Sequence, residues 1–229
     1  MTEFIFMLTY NDVTVPNAIE IFEDVKDTGL KFIGCKDIGL PIDKLQELFR
    51  RMKKENMITF LEVVSYSEEE HFKGIETAIQ VGADYIIGGM RQFTGKTLEY
   101  LREKGSDFKF FPYIGNVVDH PCILEGDVTE IIRDGLGSEV MGVHGINLLL
   151  YRYTGDVTLL LDRVTTSLKV PLIVAGSIHN FEQIDQMKQK KIWAFTIGSA
   201  IMEKQFLPEK DLREQIVTIL DHMKTPISQ

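Results

Sequence analysis

Residues 170–184 read VPLIVAGSIHNFEQI: an apolar run, a Gly-Ser pair at positions 176 and 177, and then a helical pattern. Residues 193–203, WAFTIGSAIME, repeat this arrangement with a Gly-Ser pair at positions 198 and 199. An apolar strand, a small-residue turn and a helix together make the repeating unit of parallel sheets. The two stretches therefore predict consecutive βα units in an α/β fold.

The same alternation extends along the whole chain. Apolar runs of strand length are predicted at Glu3–Thr9, Leu30–Lys36, Ile58–Val64, Asp84–Gly88, Lys109–Tyr113, Glu139–Val143, Pro171–Ala175 and Ala194–Gly198. Amphipathic helical patterns separate them, and several strands are continuously apolar, as expected when both faces of a parallel strand are covered. Eight such units without a linker predict a single (β/α)8 TIM barrel over residues 1–229, with a doubly wound open sheet as the alternative.

Composition narrows the function classes. The chain has 229 residues, 44% of them hydrophobic, and a formal net charge of -9, which argues against nucleic-acid and anionic-membrane partners. Its two cysteines, Cys35 and Cys122, lack metal-ligand spacing and fit a reducing compartment. The N-terminus shows no signal-peptide pattern, and the longest apolar run, INLLLY, is too short to span a bilayer. We expect a cytoplasmic protein that could form a homo-oligomer.

The two Gly-Ser turns are the strongest candidate for a ligand site. Glycine lets a backbone approach an anion closely, and successive N–H groups at a helix start supply hydrogen-bond donors. Phosphate sites of barrels often form after strands 7 and 8. We therefore expect Gly176, Ser177, Gly198 and Ser199 to bind a phosphate; two short strand-to-helix corners with no ligand are the alternative.

Residues 171–201 also resemble the tail of the phosphate-binding (ribulose-phosphate-binding type) TIM-barrel superfamily. That group includes the phosphoribosylformimino isomerase of histidine biosynthesis and the hexulose-phosphate decarboxylases and epimerases. The shared pattern is an apolar strand, a small-Gly-small turn, a helix, a second strand and a Gly-small-Ala turn. Before residue 171 the resemblance is architectural only.

The resemblance implies a small phosphorylated substrate and isomerisation or epimerisation, with decarboxylation or aldol cleavage second. We expect no cofactor, although FMN could place its phosphate on the same turns. A regulatory barrel that binds a phosphometabolite without turnover is a further alternative. Fold alone does not decide among these functions.

Lys36 and Glu62 are the candidates for catalysis. Lys36 ends the second predicted strand, and Glu62 lies within the third, between apolar neighbours. A buried carboxylate needs a partner or a ligand. On adjacent strands the two side chains could act as acid and base on a carbon next to a carbonyl. A structural ion pair is the alternative.

Other candidates follow the remaining predicted strands. His144, after the sixth, is either catalytic or a packed core histidine, and Asn11 and Asp37 are candidate substrate contacts. Arg91, after a Gly-Gly pair, could bind a second phosphate or a carboxylate. A faint echo between units 3–4 and 7–8 supports a second anion site there, but residues 63–67, VVSYS, lack the expected glycine. We predict no metal, since no metal-ligand spacing is recognisable.

Overall fold

The computed structural model of the chain describes residues 2–105 and 108–226. Eight parallel strands form its main sheet: β1 (Glu3–Met7), β2 (Phe32–Lys36), β3 (Ile58–Val63), β4 (Tyr85–Gly88), β5 (Lys109–Phe111), β6 (Ile146–Leu148), β7 (Leu172–Val174) and β8 (Ala194–Ile197). Their order is β6-β7-β8-β1-β2-β3-β4-β5. A parallel bridge between Tyr113 and Asn147 joins the two ends. The sheet closes, and the predicted (β/α)8 barrel is confirmed.

Helices connect the strands on the outside of the barrel. They are α1 (Ala18–Val25), α2 (Ile42–Lys54), α3 (Glu68–Val81), α4 (Thr94–Glu103), α5 (Val128–Met141), α6 (Val157–Ser167), α7 (Phe181–Gln189), α8 (Ser199–Met202) and α9 (Leu212–Lys224). Side-chain caps stabilise the starts of α3, α5, α6, α7 and α9; the Asn180 side chain, for instance, accepts the Gln183 N–H at 2.9 Å. In the described ranges, no helix combines the length and apolar character that crossing a bilayer requires.

Alternation along the strands separates two apolar cores. Phe4 and Phe6 of β1 face the helices, whereas Ile5 and Met7 lie inside the barrel. The interior is filled by a cluster of large side chains from several strands, namely Phe60, Tyr85, Ile87, Phe111, Ile173 and Trp193. Because these side chains fill the barrel, a ligand has to bind at its mouth.

Two short antiparallel hairpins follow strands at this mouth. Thr9–Tyr10 pairs with Val13–Thr14 after β1, and Asn116–Val118 pairs with Ile123–Glu125 after β5. The second hairpin lies within the long segment that separates β5 from α5 in the sequence. Both hairpins bring polar residues over the carboxyl ends of the strands.

The prediction for the sixth strand is wrong. The run Glu139–Val143 belongs mostly to the end of α5, which stops at Gly142 in the left-handed conformation (φ +89). The strand itself is Ile146–Leu148. Val140 is 89% exposed, so the apolar residues misread as a strand cover the outer surface of a helix. His144 therefore precedes β6 instead of following it.

Candidate active site

A cavity of about 900 Å³ opens at the carboxyl ends of the barrel strands. Its floor includes Lys36 and Glu62, and its rim includes both Gly-Ser turns. This is the end of the barrel at which the sites of TIM-barrel enzymes form. The cavity therefore brings together the predicted phosphate turns and the predicted acid–base pair.

Lys36 and Glu62 lie side by side because β2 and β3 pair with these two residues in direct register. Lys36 Nζ is 3.4 Å from Glu62 Oε2, and the two residues are 4% and 5% exposed. Lys36 Nζ is also 3.3 Å from Oδ1 of Asp12. The buried ammonium thus faces two carboxylates.

Asp12 is the central residue of the site. In the sequence, Asn11 and Asp12 close the first predicted strand, either as substrate contacts or simply as a turn. Asp12 lies at the tip of the first hairpin with φ +63, a conformation that Asp and Asn tolerate better than most residues. Arg152 binds it with both terminal nitrogens, at 2.5 and 2.9 Å. The backbone N–H of Cys122 donates to it at 3.0 Å. Asp12 therefore ties the loops after β1, β5 and β6 together.

The four charges of this cluster balance, since Asp12 and Glu62 oppose Lys36 and the half-buried Arg152. Burial by itself would lower the pKa of Lys36, but Glu62 and Asp12 outweigh it and raise that pKa. Burial would likewise raise the pKa of Asp12, but the hydrogen bond and charge of Arg152, with Lys36, hold it well below its usual range. Lys36 and Asp12 consequently stay ionised at neutral pH.

Tyr113 is a further member of the site. Its hydroxyl donates a hydrogen bond to Oε1 of Glu62. Burial and the charge of Glu62 raise the pKa of Tyr113 well above its usual value, so the phenol stays protonated. In the sequence it is only the last residue of the fifth predicted strand, and no signal beyond that position indicated a role.

At both Gly-Ser turns the backbone lies so close to neighbouring groups that the glycine has no room for a side chain. Gly176 and Ser177 both have positive φ, at +82 and +58. A Cβ on Gly198 would collide with the Thr9 hydroxyl and lie 3.0 Å from the Thr9 carbonyl oxygen, so glycine is required where β8 passes the β1 loop. Both turns line one cavity.

Two contacts link these turns to the rest of the site. Arg152 Nε donates to Ser177 Oγ at 3.3 Å, and the backbone N–H of Asn11 donates to Ser199 Oγ at 3.1 Å. Arg152 therefore connects the first turn with Asp12. Asn11 lines the cavity beside the second turn, where it was expected.

Three other candidates lie away from this cluster. His144 donates its backbone N–H to the Phe110 carbonyl at 3.1 Å, at the amino-terminal side of β6, far along the strand from the mouth. Asp37 accepts the Val64 N–H at 2.9 Å, and burial raises its pKa to about 7. Arg91 binds Asp134 at 2.5 Å. Of the residues predicted from the sequence, Lys36, Glu62, Asn11 and the Gly-Ser turns line the cavity.

A cation is poorly matched to the cluster. Within residues 2–105 and 108–226, Asp12, His120 and Cys122 place side-chain ligand atoms within 4.8 Å of one another. Both oxygens of Asp12, however, already face Arg152 or Lys36. A metal would have to compete with these cations for the carboxylate, and we assign none.

Comparisons with known proteins establish the fold. No protein-family model and no curated protein matches the chain. Among solved structures it is similar to phosphoribosylanthranilate isomerase from Thermotoga maritima, with a TM-score of 0.67 and 11% identity over 98% of this chain and 99% of that one. The YdjI aldolase from Escherichia coli gives 0.67 and 14% over 97% and 91%.

A third similar structure is N-acetylmannosamine-6-phosphate 2-epimerase from Clostridium perfringens, with a TM-score of 0.63 and 13% identity over 96% of this chain and 93% of that one. At such identities the similarity establishes the barrel and not the reaction. The predicted TIM-barrel fold is confirmed by these similarities. The fold and the site together define a barrel with a buried cluster of charged residues at its mouth.

Proposed function

We propose that the protein is an enzyme that transfers a proton next to the carbonyl of a small, phosphorylated, sugar-like metabolite, as isomerases and epimerases do. One observation carries the proposal: the buried pair of Lys36 and Glu62 lies in the same cavity as both Gly-Ser turns, with Tyr113 hydrogen-bonded to Glu62 from behind. A substrate held by its phosphate at the rim would place its carbon chain over that cluster.

The phosphate end is assigned to Gly176, Ser177, Gly198 and Ser199. The N–H groups of Ser199 and Ala200 precede the first hydrogen bonds of α8, which run from Ile201 and Met202 to the Gly198 carbonyl. They are thus oriented as donors toward an anion. Arg152, which donates a hydrogen bond to Ser177, supplies positive charge between the phosphate turns and Asp12.

Proton transfer is assigned to Glu62. Its carboxylate would remove the proton from the carbon next to the carbonyl, while Lys36 stabilises the negative charge that develops on the carbonyl oxygen. Tyr113 orients Glu62 through its hydrogen bond, and Glu62 returns the proton that it has removed. Epimerisation needs delivery to the opposite face of the carbon, whereas isomerisation needs delivery to the neighbouring carbon.

The charge state of Lys36 favours this chemistry over Schiff-base lyase chemistry. A Schiff base needs a neutral amine, which enzymes obtain by desolvating lysine or placing it beside other cations. Here two carboxylates hold Lys36 as an ammonium. Aldol cleavage or decarboxylation through a lysine adduct is therefore the less favoured reaction.

Hydrogen–deuterium exchange tests the proposal before the product is known. The protein is incubated in D2O with a panel of ketose and aldose monophosphates, and loss of the proton next to the carbonyl is followed by NMR. We expect at least one sugar phosphate to exchange. Glu62→Gln should slow this exchange by about 10² to 10⁴ fold, the usual contribution of a general base.

Two variants complete the experiment. Ser199→Asp places a negative charge at the rim and should abolish exchange by excluding the phosphate. Glu69→Gln, on the exposed surface of α3, is the matched control and should exchange as the wild type does. Exchange that persists in Glu62→Gln would contradict the assigned base. A complete absence of exchange with every sugar phosphate would contradict the proposed reaction.

A further inference from the structure

A second chamber lies on the other side of the site, between the loops after β3, β4 and β5. Its volume is about 310 Å³. Residues from all three loops line it, including Val63, Ser65, Met90, Tyr113, Val117 and Cys122. Cys122 lines this far chamber and the main cavity alike. The Tyr113 ring faces the chamber while its hydroxyl binds Glu62.

The chamber is held open by its backbone. Gly88 and Gly89 both have φ +79, and a Cβ on Gly88 would lie 3.1 Å from the Tyr113 ring. On Gly89, a Cβ would lie 2.7 Å from the imidazole of His71. His71 in turn accepts the Met90 N–H at 3.1 Å. The rings of Tyr113 and His71 occupy the space that side chains at Gly88 and Gly89 would need. This packing fixes the β4 loop beneath the chamber.

The charges around the chamber disfavour a second phosphate. Arg91 is the cation of its lining, and its guanidinium binds Asp134 at 2.5 Å. The same Asp134 oxygen accepts the Gly115 N–H at 3.2 Å, which fixes the pair in the wall. Asp119 adds a further negative charge to the lining. An anion entering the chamber would meet an arginine already paired with Asp134 and the carboxylate of Asp119, which forms no ion pair with any residue that the structure describes.

Ser65, which lines the chamber, carries a hydroxyl that can reach a ligand once its side chain rotates. Ser65 Oγ is buried and finds no hydrogen-bond partner among the described residues. A buried hydroxyl without a partner costs free energy that a ligand group can recover. The apolar side chains around it favour an uncharged group.

We propose that the far chamber is a subsite for the other end of the substrate, and that this end is an uncharged, largely apolar group with one hydrogen-bonding atom. This rests on the proposed function for the phosphate end and for the reaction between the two. A cavity of about 150 Å³ holds benzene, so the chamber has room for a substituted ring or a chain of similar size. The substrate is then a monophosphate with a neutral far end instead of a bisphosphate.

Small probes test the subsite independently of the reaction. Phenol and benzene are titrated into the protein by ligand-observed NMR, with and without inorganic phosphate. We expect both to bind, and phosphate not to displace them. Ser65→Ala should weaken phenol binding about fivefold and leave benzene binding unchanged, because only phenol can bond to the hydroxyl. Val117→Trp should fill the chamber and abolish both; Val140→Trp, on exposed α5, is its matched control.

Phenylalkyl phosphates with two to six methylene groups test the connection between the two ends. One linker length should bind at least tenfold more tightly than inorganic phosphate, and Val117→Trp should remove this gain. Absence of phenol binding, or binding unaffected by Val117→Trp, would overturn the subsite. No gain at any length would overturn the claim that one substrate spans both ends. Phenol binding with no phosphate binding would refute the proposed function and leave the chamber assignment standing.

Discussion

Replacing Asp12 by Asn should destabilise the protein strongly, because it leaves the buried Lys36 and the half-buried Arg152 with one carboxylate instead of two. Asp12 is 6% exposed and accepts from Arg152 at 2.5 and 2.9 Å. Asn is nearly isosteric and tolerates φ +63, so the change tests the charge and not the backbone. Breaking a buried ion pair from one side costs about 3–5 kcal/mol.

A loss of this size is easily measured. For a chain of this length it corresponds to a fall in Tm of about 6 to 20 °C. The single tryptophan, Trp193, stacks on Phe111 in the barrel interior with ring centroids 5.2 Å apart. Its fluorescence therefore reports urea unfolding directly. Asp221→Asn removes an exposed pair with Lys224 and should change the free energy of unfolding by less than about 1 kcal/mol.

The pH dependence of the difference has a definite sign. The folded-state pKa of Asp12 lies below the unfolded value of about 3.9. Its contribution is therefore complete above that value and is lost as the pH falls through the folded-state pKa. The gap between wild type and Asp12→Asn should be constant from about pH 5 to 8 and narrow below about pH 4.

A second substitution separates charge from packing. Arg152→Met in the Asp12→Asn background removes one cation and should restore part of the lost stability, so that the two effects are not additive. If Asp12→Asn costs less than about 1 kcal/mol, or if the double variant shows the sum of both losses, the buried charge balance does not hold the mouth together.

Three further predictions follow from individual contacts. Tyr113→Phe removes the hydrogen bond to Glu62 and should slow substrate exchange about 10² to 10³ fold without loss of ligand binding, measured by NMR exchange and thermal shift. Gly198→Ala should lower the free energy of unfolding by about 1–3 kcal/mol through its collision with the β1 loop, whereas Gly137→Ala, in an open position of α5, should raise it by about 0.5–1 kcal/mol; urea unfolding measures both. Burial lowers the pKa of His71 to about 4, so wild-type stability should fall between about pH 6.5 and 4 through this group, and His71→Asn should flatten that part of the profile in urea titrations.

The barrel could be predicted from the sequence because its signal is local. Continuous apolar runs and small-residue turns specify strands, and amphipathic spacing specifies helices, before any tertiary contact exists. The sixth strand failed for the same reason: Val140 and Met141 give an apolar run at the end of a helix, which periodicity over a few residues cannot distinguish from a strand. His144 was misplaced with it.

The site could be predicted only where a residue's position on its own strand sufficed. Lys36 and Glu62 follow from strand ends and register, and the Gly-Ser turns follow from the order of the last two units. Asp12 precedes Cys122 and Arg152 by more than a hundred residues in the sequence. Only the closed barrel brings their loops together.

By itself, the sequence determined the architecture and the pairing of Lys36 with Glu62 at the carboxyl ends of adjacent strands, since both depend on the period and order of the elements. The tertiary structure decided which groups these residues contact. Asp12 and Arg152 balance the charges of Lys36 and Glu62, Tyr113 donates a hydrogen bond to Glu62, and Asp134 neutralises Arg91. Charge balance and burial are properties of side chains from distant loops in one small volume. No local pattern encodes them, because they exist only once the sheet has closed.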